Sequence, residues 1–576
     1  MAQKSKPRTK HKSSYRGFEG VDLKKTHSGD ESICMIDNFR ITSDGSLKKR
    51  SGLKKLYSGS TDISASLCVT QNGIESCYFV QGNARRKYTP HNDQTNTVDK
   101  LENIGSNAFF FEYFDNVYFC NGYSIFSVQS SLKELSGYIP LYGKNWASGA
   151  AGEINEPANL LSDKLAISYK LTAPAVSVLH LGEYPISEVC ELYRNGVLLD
   201  ADSYSLNKTY NVINVQTFAE NDEFFAIVKM DTNEKLANER NTLLSERAAE
   251  IFYELNENNL FFWGSDSSNK IYYTRKPDPE SAKTTEKYTS AGSFYVPAEN
   301  QFSVASDNDR VKALIRHYDR ILIMTERSTW ISDPNSLNSE SNSIRSINTS
   351  IGCESFNGAA RLENTLVSVG KSSIYSWTSK TDELNECNAY SISDPINELL
   401  PEDFFSTCKI YVYKKKHEIW LYGSSPKQVW IYNLDRKAWY KFSGFIPNEI
   451  LYGGSEPRLF ENGSLFCFDD SLSADHCSDE PTEITAKIKS GELEFNSKHK
   501  KKLSGATLRG EFSGGTLDVS ITLDGEKAFS TSITPSAKHF VFPFRIRSGS
   551  FSSLSFELTA RGDGDQIIHG VEFDAD

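Results

Sequence analysis

Methionine is scarce, 4 in 576 residues, and no apolar run approaches the ~18 residues of a membrane span. The richest apolar runs, Ala108 to Phe111 and Phe224 to Val228, have strand length. No apolar stretch follows the basic N-terminus, so no secretory signal is expected. The ten cysteines (Cys34, Cys68, Cys77, Cys120, Cys190, Cys353, Cys387, Cys408, Cys467 and Cys477) include no C-x-x-C pair. Several lie in apolar segments such as Val117 to Cys120, where a lone thiol acts as a small hydrophobe. Unpaired thiols in a reducing compartment are expected, with no structural metal and no cofactor. The tightest cluster, Cys467, His476 and Cys477, lacks a fourth ligand at zinc spacing.

Motifs for catalysis are missing too. Gly370-Lys371-Ser372 looks like the end of a phosphate loop, but position 365 is Thr where a Gly is needed, and the segment joins two strands. His417-Glu418 has no second His at zincin spacing. There is no G-x-S-x-G elbow. Arg561-Gly562-Asp563, Gly562 to Asp565 and Asp307-Asn308-Asp309 read as turns. Carboxylates are plentiful, but sequence alone pairs no two of them as acid and base. The expectation is a chain that is not an enzyme.

Aromatics are abundant instead: 34 Phe and 28 Tyr among 12% aromatic residues. With 38% hydrophobic residues this excludes wholesale disorder and favours β-structure. Net charge is −12, distributed unevenly. Lys4, Lys6, Arg8, Lys10, Lys12 and Arg16 give the first residues +6, leaving −18 on the remainder. An acidic body argues against broad nucleic-acid binding, which needs cations to displace phosphate counterions. The arm is expected to be a solvated tail and the candidate contact to an anionic partner.

Short aromatic and β-branched runs recur between Gly, Asn, Asp and Ser. Phe109 to Phe114 and Val117 to Cys120 flank Asp115-Asn116 as a hairpin. Arg320 to Thr325 pairs with Thr329 to Ser332, and Thr365 to Val369 with Ser373 to Thr378. The unit recurs after roughly 45 residues, a propeller-blade period. Glu418 to Tyr422, Gln428 to Asn433 and Ala438 to Phe442 carry Trp420, Trp430 and Trp439, expected in the core. Helices are expected only over about Leu236 to Leu255 and Ile396 to Phe404. The fold class is therefore mainly β: a β-propeller core with an inserted β-sandwich module and a C-terminal β-domain. The divisions are 1–17 (arm), 18–160 (propeller), 161–235 (inserted module, with its Asn195-Gly196 hairpin signal), 236–479 (propeller remainder) and 480–576 (C-terminal domain).

A resemblance runs through these segments. Phe18-Glu19-Gly20-Val21-Asp22-Leu23 is followed by Met35-Ile36-Asp37-Asn38-Phe39-Arg40 and by Asp44-Gly45-Ser46-Leu47-Lys48-Lys49-Arg50-Ser51-Gly52. This is similar to the "G-V-D … N … G-x-L-x-x-R-x-G" opening of bacteriophage tail nozzle and neck stabilisation proteins (tail tubular protein B-like). Tyr253 to Gly264, Arg310 to Ile331, Ile351-Gly352-Cys353 with Leu366 to Trp377, Ser393 to Leu399 and Ile431 to Trp439 resemble that family's blades in order. Ser51 stands where the family usually has Pro, and Lys371-Ser372-Ser373 replaces a more Gly-rich turn. The resemblance implies a structural virion protein, assembled in the host cytoplasm into a hexameric ring. The ring would lie below the portal, contact portal or adaptor and other tail or neck proteins, and continue the channel for double-stranded DNA. No membrane partner is implied. Two other readings stay open: a carbohydrate-binding or depolymerising tail component, and a non-viral propeller scaffold.

Overall fold

The computed structural model describes residues 11–576 apart from 17, 25–31, 92–93, 102, 172–177, 217, 232–233, 253–257, 307, 334–343, 378–387, 424–427, 452, 479, 496–498, 536–537 and 547. The described chain is mainly β. Seven sets of four antiparallel strands follow one another. Their first strands are Ile63–Gln71, Phe109–Tyr113, Ala248–Ile251, Val311–His317, Ala359–Leu362, Lys409–Tyr413 and Glu449–Ile450. Consecutive sets pack side by side, and the seventh packs on the first through Phe79 and Phe460, ring centroids 4.9 Å apart. Sheets covered on both faces call for strands apolar on both faces. Accordingly every residue of Leu260–Trp263 and Glu418–Tyr422 is buried.

Tight turns make this spacing possible. Phe114 and Asp115 both take positive φ, 44° and 58°, between Phe109–Tyr113 and Asn116–Cys120. Asn195 and Gly196, at 48° and 78°, do the same between Ile186–Arg194 and Val197–Leu198. Such left-handed pairs match the twist of the flanking strands. The strands expected in the fourth, fifth and sixth sets are present, and Trp420, Trp430 and Trp439 are buried.

Between the second and third sets lies a separate core. Strands from Leu141–Trp146 to Glu223–Met230 form a five-stranded and a three-stranded sheet around Leu179, Leu192, Ile213 and Phe224. Its first strand, Leu141–Trp146, thus precedes the expected division at residue 161.

The C-terminal region is a two-sheet unit completed by N-terminal strands. Ile33–Asp37 pairs parallel with Ala438–Ser443 of the sixth set and antiparallel with Ala486–Ser490, giving one continuous nine-stranded sheet. The facing sheet contains Phe39–Ile41, Leu47–Lys49, Gln566–Ala575, Leu503–Phe512 and His539–Arg545. Leu508, Val519, Phe556, Leu558 and Phe573 fill the space between them. The fourth strand of the seventh set, Gly52–Tyr57, is also N-terminal.

Three expectations need correction. The helix expected to Leu255 spans Glu234–Leu244, and Ala248–Ile251 is instead the first strand of the third set. Pairing with Leu260–Trp263 outweighs the helical spacing of the same apolar residues. The second helix resolves into a 3-10 turn, Asn397–Leu399, and the short helix Phe404–Thr407. The cysteines are not all unpaired: Cys68 and Cys77 form a disulfide between directly opposed residues of neighbouring strands.

Candidate functional site: the N-terminal clasp

The strongest motif run of the sequence, Gly20 to Gly52, converges where the sixth set, the seventh set and the C-terminal unit meet. Val21 donates its N–H to the Trp439 carbonyl at 2.8 Å. Gly20 has φ +95°, and a Cβ there would lie 2.8 Å from the Trp439 nitrogen, so only glycine fits. Asn38, at φ 57°, ends the bridging strand and turns its amide towards Ser443 Oγ and the Thr485 carbonyl.

Arg50 is the centre of the clasp. Its side chain is 2% exposed and forms a two-pronged ion pair with Asp475, Nη1 to Oδ1 at 2.7 Å and Nη2 to Oδ2 at 2.5 Å. Nε donates to Asn38 Oδ1 at 2.8 Å, and the remaining donors reach the Ser51 and Ser443 carbonyls. The guanidinium plane lies over Phe445, 5.1 Å from its centroid. A planar five-donor fork suits such a site and an ammonium does not. Two residues on, a Cβ at Gly52 would sit 2.0 Å from the Ala474 carbonyl oxygen. The motif spacing R-x-G is therefore that of a buried ion pair followed by a close backbone crossing.

A second pair, its carboxylate buried and its arginine half-buried, lies beside it. Arg40 Nε stands 3.0 Å from Glu418 Oε1, which also accepts from Tyr440 at 2.6 Å, while Oε2 accepts from Trp420 Nε1 at 2.8 Å. Burial and the neighbouring carboxylate hold the Tyr440 phenol far above its usual range.

The basic arm is placed only in part. Lys4, Lys6, Arg8 and Lys10 lie outside the described residues. Lys12 and Arg16 belong to the strand His11–Arg16, which pairs antiparallel with Gln566–Ala575. The expected solvated tail thus gives way to a strand from His11. Tyr15 explains the difference: its ring packs at 5.0 Å on Phe556 and 6.5 Å on Phe573. Lys12 Nζ is 3.4 Å from Asp574 Oδ1, both exposed, so the pair contributes little.

Among the carboxyls elsewhere with perturbed acidity, two are raised furthest, Glu250 and Glu246. Glu250, on the first strand of the third set, is exposed at its surface, and desolvation by the surrounding chain pushes its carboxyl up to about 7. A carboxyl titrating near neutrality is able to give or take a proton at working pH. Glu246 is fully buried and held well above the usual carboxylate range by desolvation, and one oxygen accepts from the Ser265 N–H at 2.7 Å. Neither residue carries a motif; only the fold sets their environment.

No family profile matches this chain, and no curated protein matches it. Solved structures do. The AfRom2 CNH domain is 7% identical over 73% of this chain and 99% of its own, with a TM-score of 0.35. The exo-beta-1,3-galactanase of Phanerochaete chrysosporium, with galactose, is 11% identical over 82% of this chain and 96% of its own, at TM-score 0.18. A carbohydrate-binding module, CBM36, in complex with calcium and xylotriose, covers 17% of this chain and 84% of its own at 16% identity and TM-score 0.12. The galactanase stands against the expectation that the chain is not an enzyme, which is withdrawn; at a TM-score of 0.18 the likeness says nothing of activity, substrate or reaction. A search for short motifs is blind to carboxylates that distant strands bring together, the arrangement glycoside hydrolysis uses.

Proposed function

We propose that this chain is a structural component of a bacteriophage virion, a subunit of a tail or neck ring below the portal that continues the DNA channel. We read its seven four-stranded sets as the blades of a propeller, with Gly52–Tyr57 closing the last blade. The observation that carries the proposal is the correspondence between the family-like run and the clasp. Gly20, Asn38, Arg50 and Gly52 each meet a steric or charge requirement at the junction of blades and C-terminal unit. Such a junction gives one rigid body, which a ring subunit needs. Loops and the inserted module would carry the contacts to portal and neighbours. The acidic body suits a conduit to which DNA does not adhere.

The test is the mass and symmetry of the purified protein, by light scattering and negative-stain imaging, with and without portal protein. A closed ring, or a monomer that closes on portal, supports the reading. A monomer indifferent to portal refutes it.

A second reading, a carbohydrate-binding or depolymerising tail component, is favoured by exposed aromatic faces at Tyr123, Tyr210, Tyr390 and Phe542 and by the Glu250 carboxyl. Aromatic rings with one open face stack on apolar sugar faces. Calorimetry with xylotriose and β-1,3-galactotriose, followed by assay for cleavage, separates this reading from the first.

A further inference from the structure

We propose that Glu511, His539 and His569 form a site for a divalent transition-metal ion, zinc by preference, on the outer face of the C-terminal unit. The three residues come from three neighbouring strands: Leu503–Phe512 in the middle, His539–Arg545 on one side and Gln566–Ala575 on the other. His539 Nδ1 and His569 Nε2 each lie 3.1 Å from the same oxygen, Glu511 Oε1. Two imidazoles and a carboxylate are a donor set that zinc accepts. With bonds of about 2.1 Å, tetrahedral ligand atoms stand about 3.4 Å apart. The two carboxylate–imidazole distances are already near that value. The ring nitrogens of the two histidines stand more than 4.8 Å apart, so binding requires the exposed His539 side chain, 74% accessible, to rotate towards His569.

Two features of the backbone and surroundings set this cluster apart from a chance surface ion pair. First, Arg509 faces Gly570 and Gly510 faces Ile568, so His569 is the extra residue of a β-bulge. A bulge re-aims a side chain at the expense of ladder pairing. Here it keeps His569 on the same outer face as Glu511. Second, the other nitrogen of His569 is already held. Nδ1 is 2.8 Å from Ser46 Oγ, and that hydroxyl is 2.8 Å from Asp44 Oδ2. A carboxylate acting through a hydroxyl on the far ring nitrogen fixes the orientation of a ligating imidazole. Asp44 and Ser46 are the turn between Phe39–Ile41 and Leu47–Lys49. Bound metal would thus tie the N-terminal hairpin to the C-terminal sheet. Three protein ligands leave a fourth position for water or a partner's group.

The experiment uses the full chain, stripped with chelator and titrated with zinc chloride by calorimetry. The wild type should bind with micromolar or tighter affinity. His539→Ala, which removes an exposed ligand without touching the core, and Glu511→Gln should each lose one equivalent or weaken that site at least tenfold. Ser46→Ala should weaken it by about 10- to 100-fold, as loss of an orienting partner does. Zinc should also raise the urea midpoint of the wild type but not of His539→Ala. No zinc binding by the wild type, or an isotherm unchanged in His539→Ala because the metal goes to thiols, overturns the proposal.

Discussion

Arg50→Ala is the most informative single perturbation of this molecule. The guanidinium makes all its hydrogen bonds inside the protein, and Asp475 is only 6% exposed. Truncation leaves Asp475 with the Leu53 N–H, at 3.1 Å, in place of the guanidinium. It also leaves Asn38 Oδ1 and the Ser443 carbonyl without their arginine donor. Breaking one half of a buried pair costs about 3–5 kcal/mol, most of it from the stranded charge. Replacing both charges tests that origin. Arg50→Met with Asp475→Leu should recover most of the loss, to within about 1–2 kcal/mol of wild type, because apolar groups of similar size need no partner. Arg50→Lys should behave like a deletion, since an ammonium cannot span both carboxylate oxygens. The assay is urea unfolding followed by tryptophan fluorescence. Three of the seven tryptophans, Trp420, Trp430 and Trp439, lie in the sixth set, whose last strand carries Ser443, so a large part of the signal reports on this region. A chain of this size need not unfold in one step, so the transition that moves the tryptophan signal is the one to compare. A loss below about 1 kcal/mol in Arg50→Ala, or a double variant no better than the single, would refute the clasp as described.

Other outcomes follow from the same geometry. Trp439→Ala should cost about 3–5 kcal/mol, since the ring is buried and its Nε1 donates to the Ile392 carbonyl at 2.7 Å. A change below about 1 kcal/mol in urea titration would contradict its burial. Gly52→Ala should cost about 1–3 kcal/mol by forcing the Ala474 carbonyl aside, measured in the same way. Thiol titration of the denatured, unreduced chain should find two fewer than the ten cysteines, and a peptide map should link Cys68 to Cys77; ten free thiols would exclude the disulfide. Glu250 has its folded pKa raised from 4.5 to about 7, so its protonated form favours the fold. Its contribution is complete below pH 4.5 and is lost as pH rises towards 7, and Glu250→Gln should flatten the stability profile in that window.

Much of the strand pattern could be read directly from residues. Thr365–Val369, Glu418–Tyr422 and Gln428–Asn433 match their expected limits because apolar runs end at Gly, Lys or Asn turns. Other features were present but disguised. Cys68 and Cys77 stand equally far from Asn72-Gly73, and a two-residue hairpin there opposes them directly. A search for C-x-x-C passes over that symmetry. The strand His11–Arg16 reads as a charged tail because its cations outnumber the one residue that anchors it, Tyr15. Ala248–Ile251 carries helical spacing and becomes a strand because Leu260–Trp263 offers it a ladder. The clasp was visible as a motif but not as chemistry. Nothing near Arg50 in sequence announces Asp475, which is 425 residues away. Glu511, His539 and His569 come together through a bulge that spacing does not encode.

That long reach has a consequence for how the chain folds. Gly52–Tyr57 completes the seventh set by pairing with Ser464–Asp469, and Leu47–Lys49 pairs with Gln566–Ala575. His11–Arg16 rests on that same last strand. The first-made segments therefore wait for the last-made ones, and loop closure over so long a chain is entropically costly and slow. Until then Ile36, Phe39 and Leu47, all buried in the finished molecule, stay exposed to water. Deleting Gln566–Ala575 removes the partner of two N-terminal strands at once. The truncated chain should aggregate, or lose N-terminal protection in hydrogen exchange, while the third and fourth sets, built from sequential hairpins, keep theirs. Equal protection of residues 33–49 in the full and truncated chains would show that the N-terminal segment is held through Ile33–Asp37, by Ala486–Ser490 and the sixth set, and that the C-terminal strand is dispensable to the clasp.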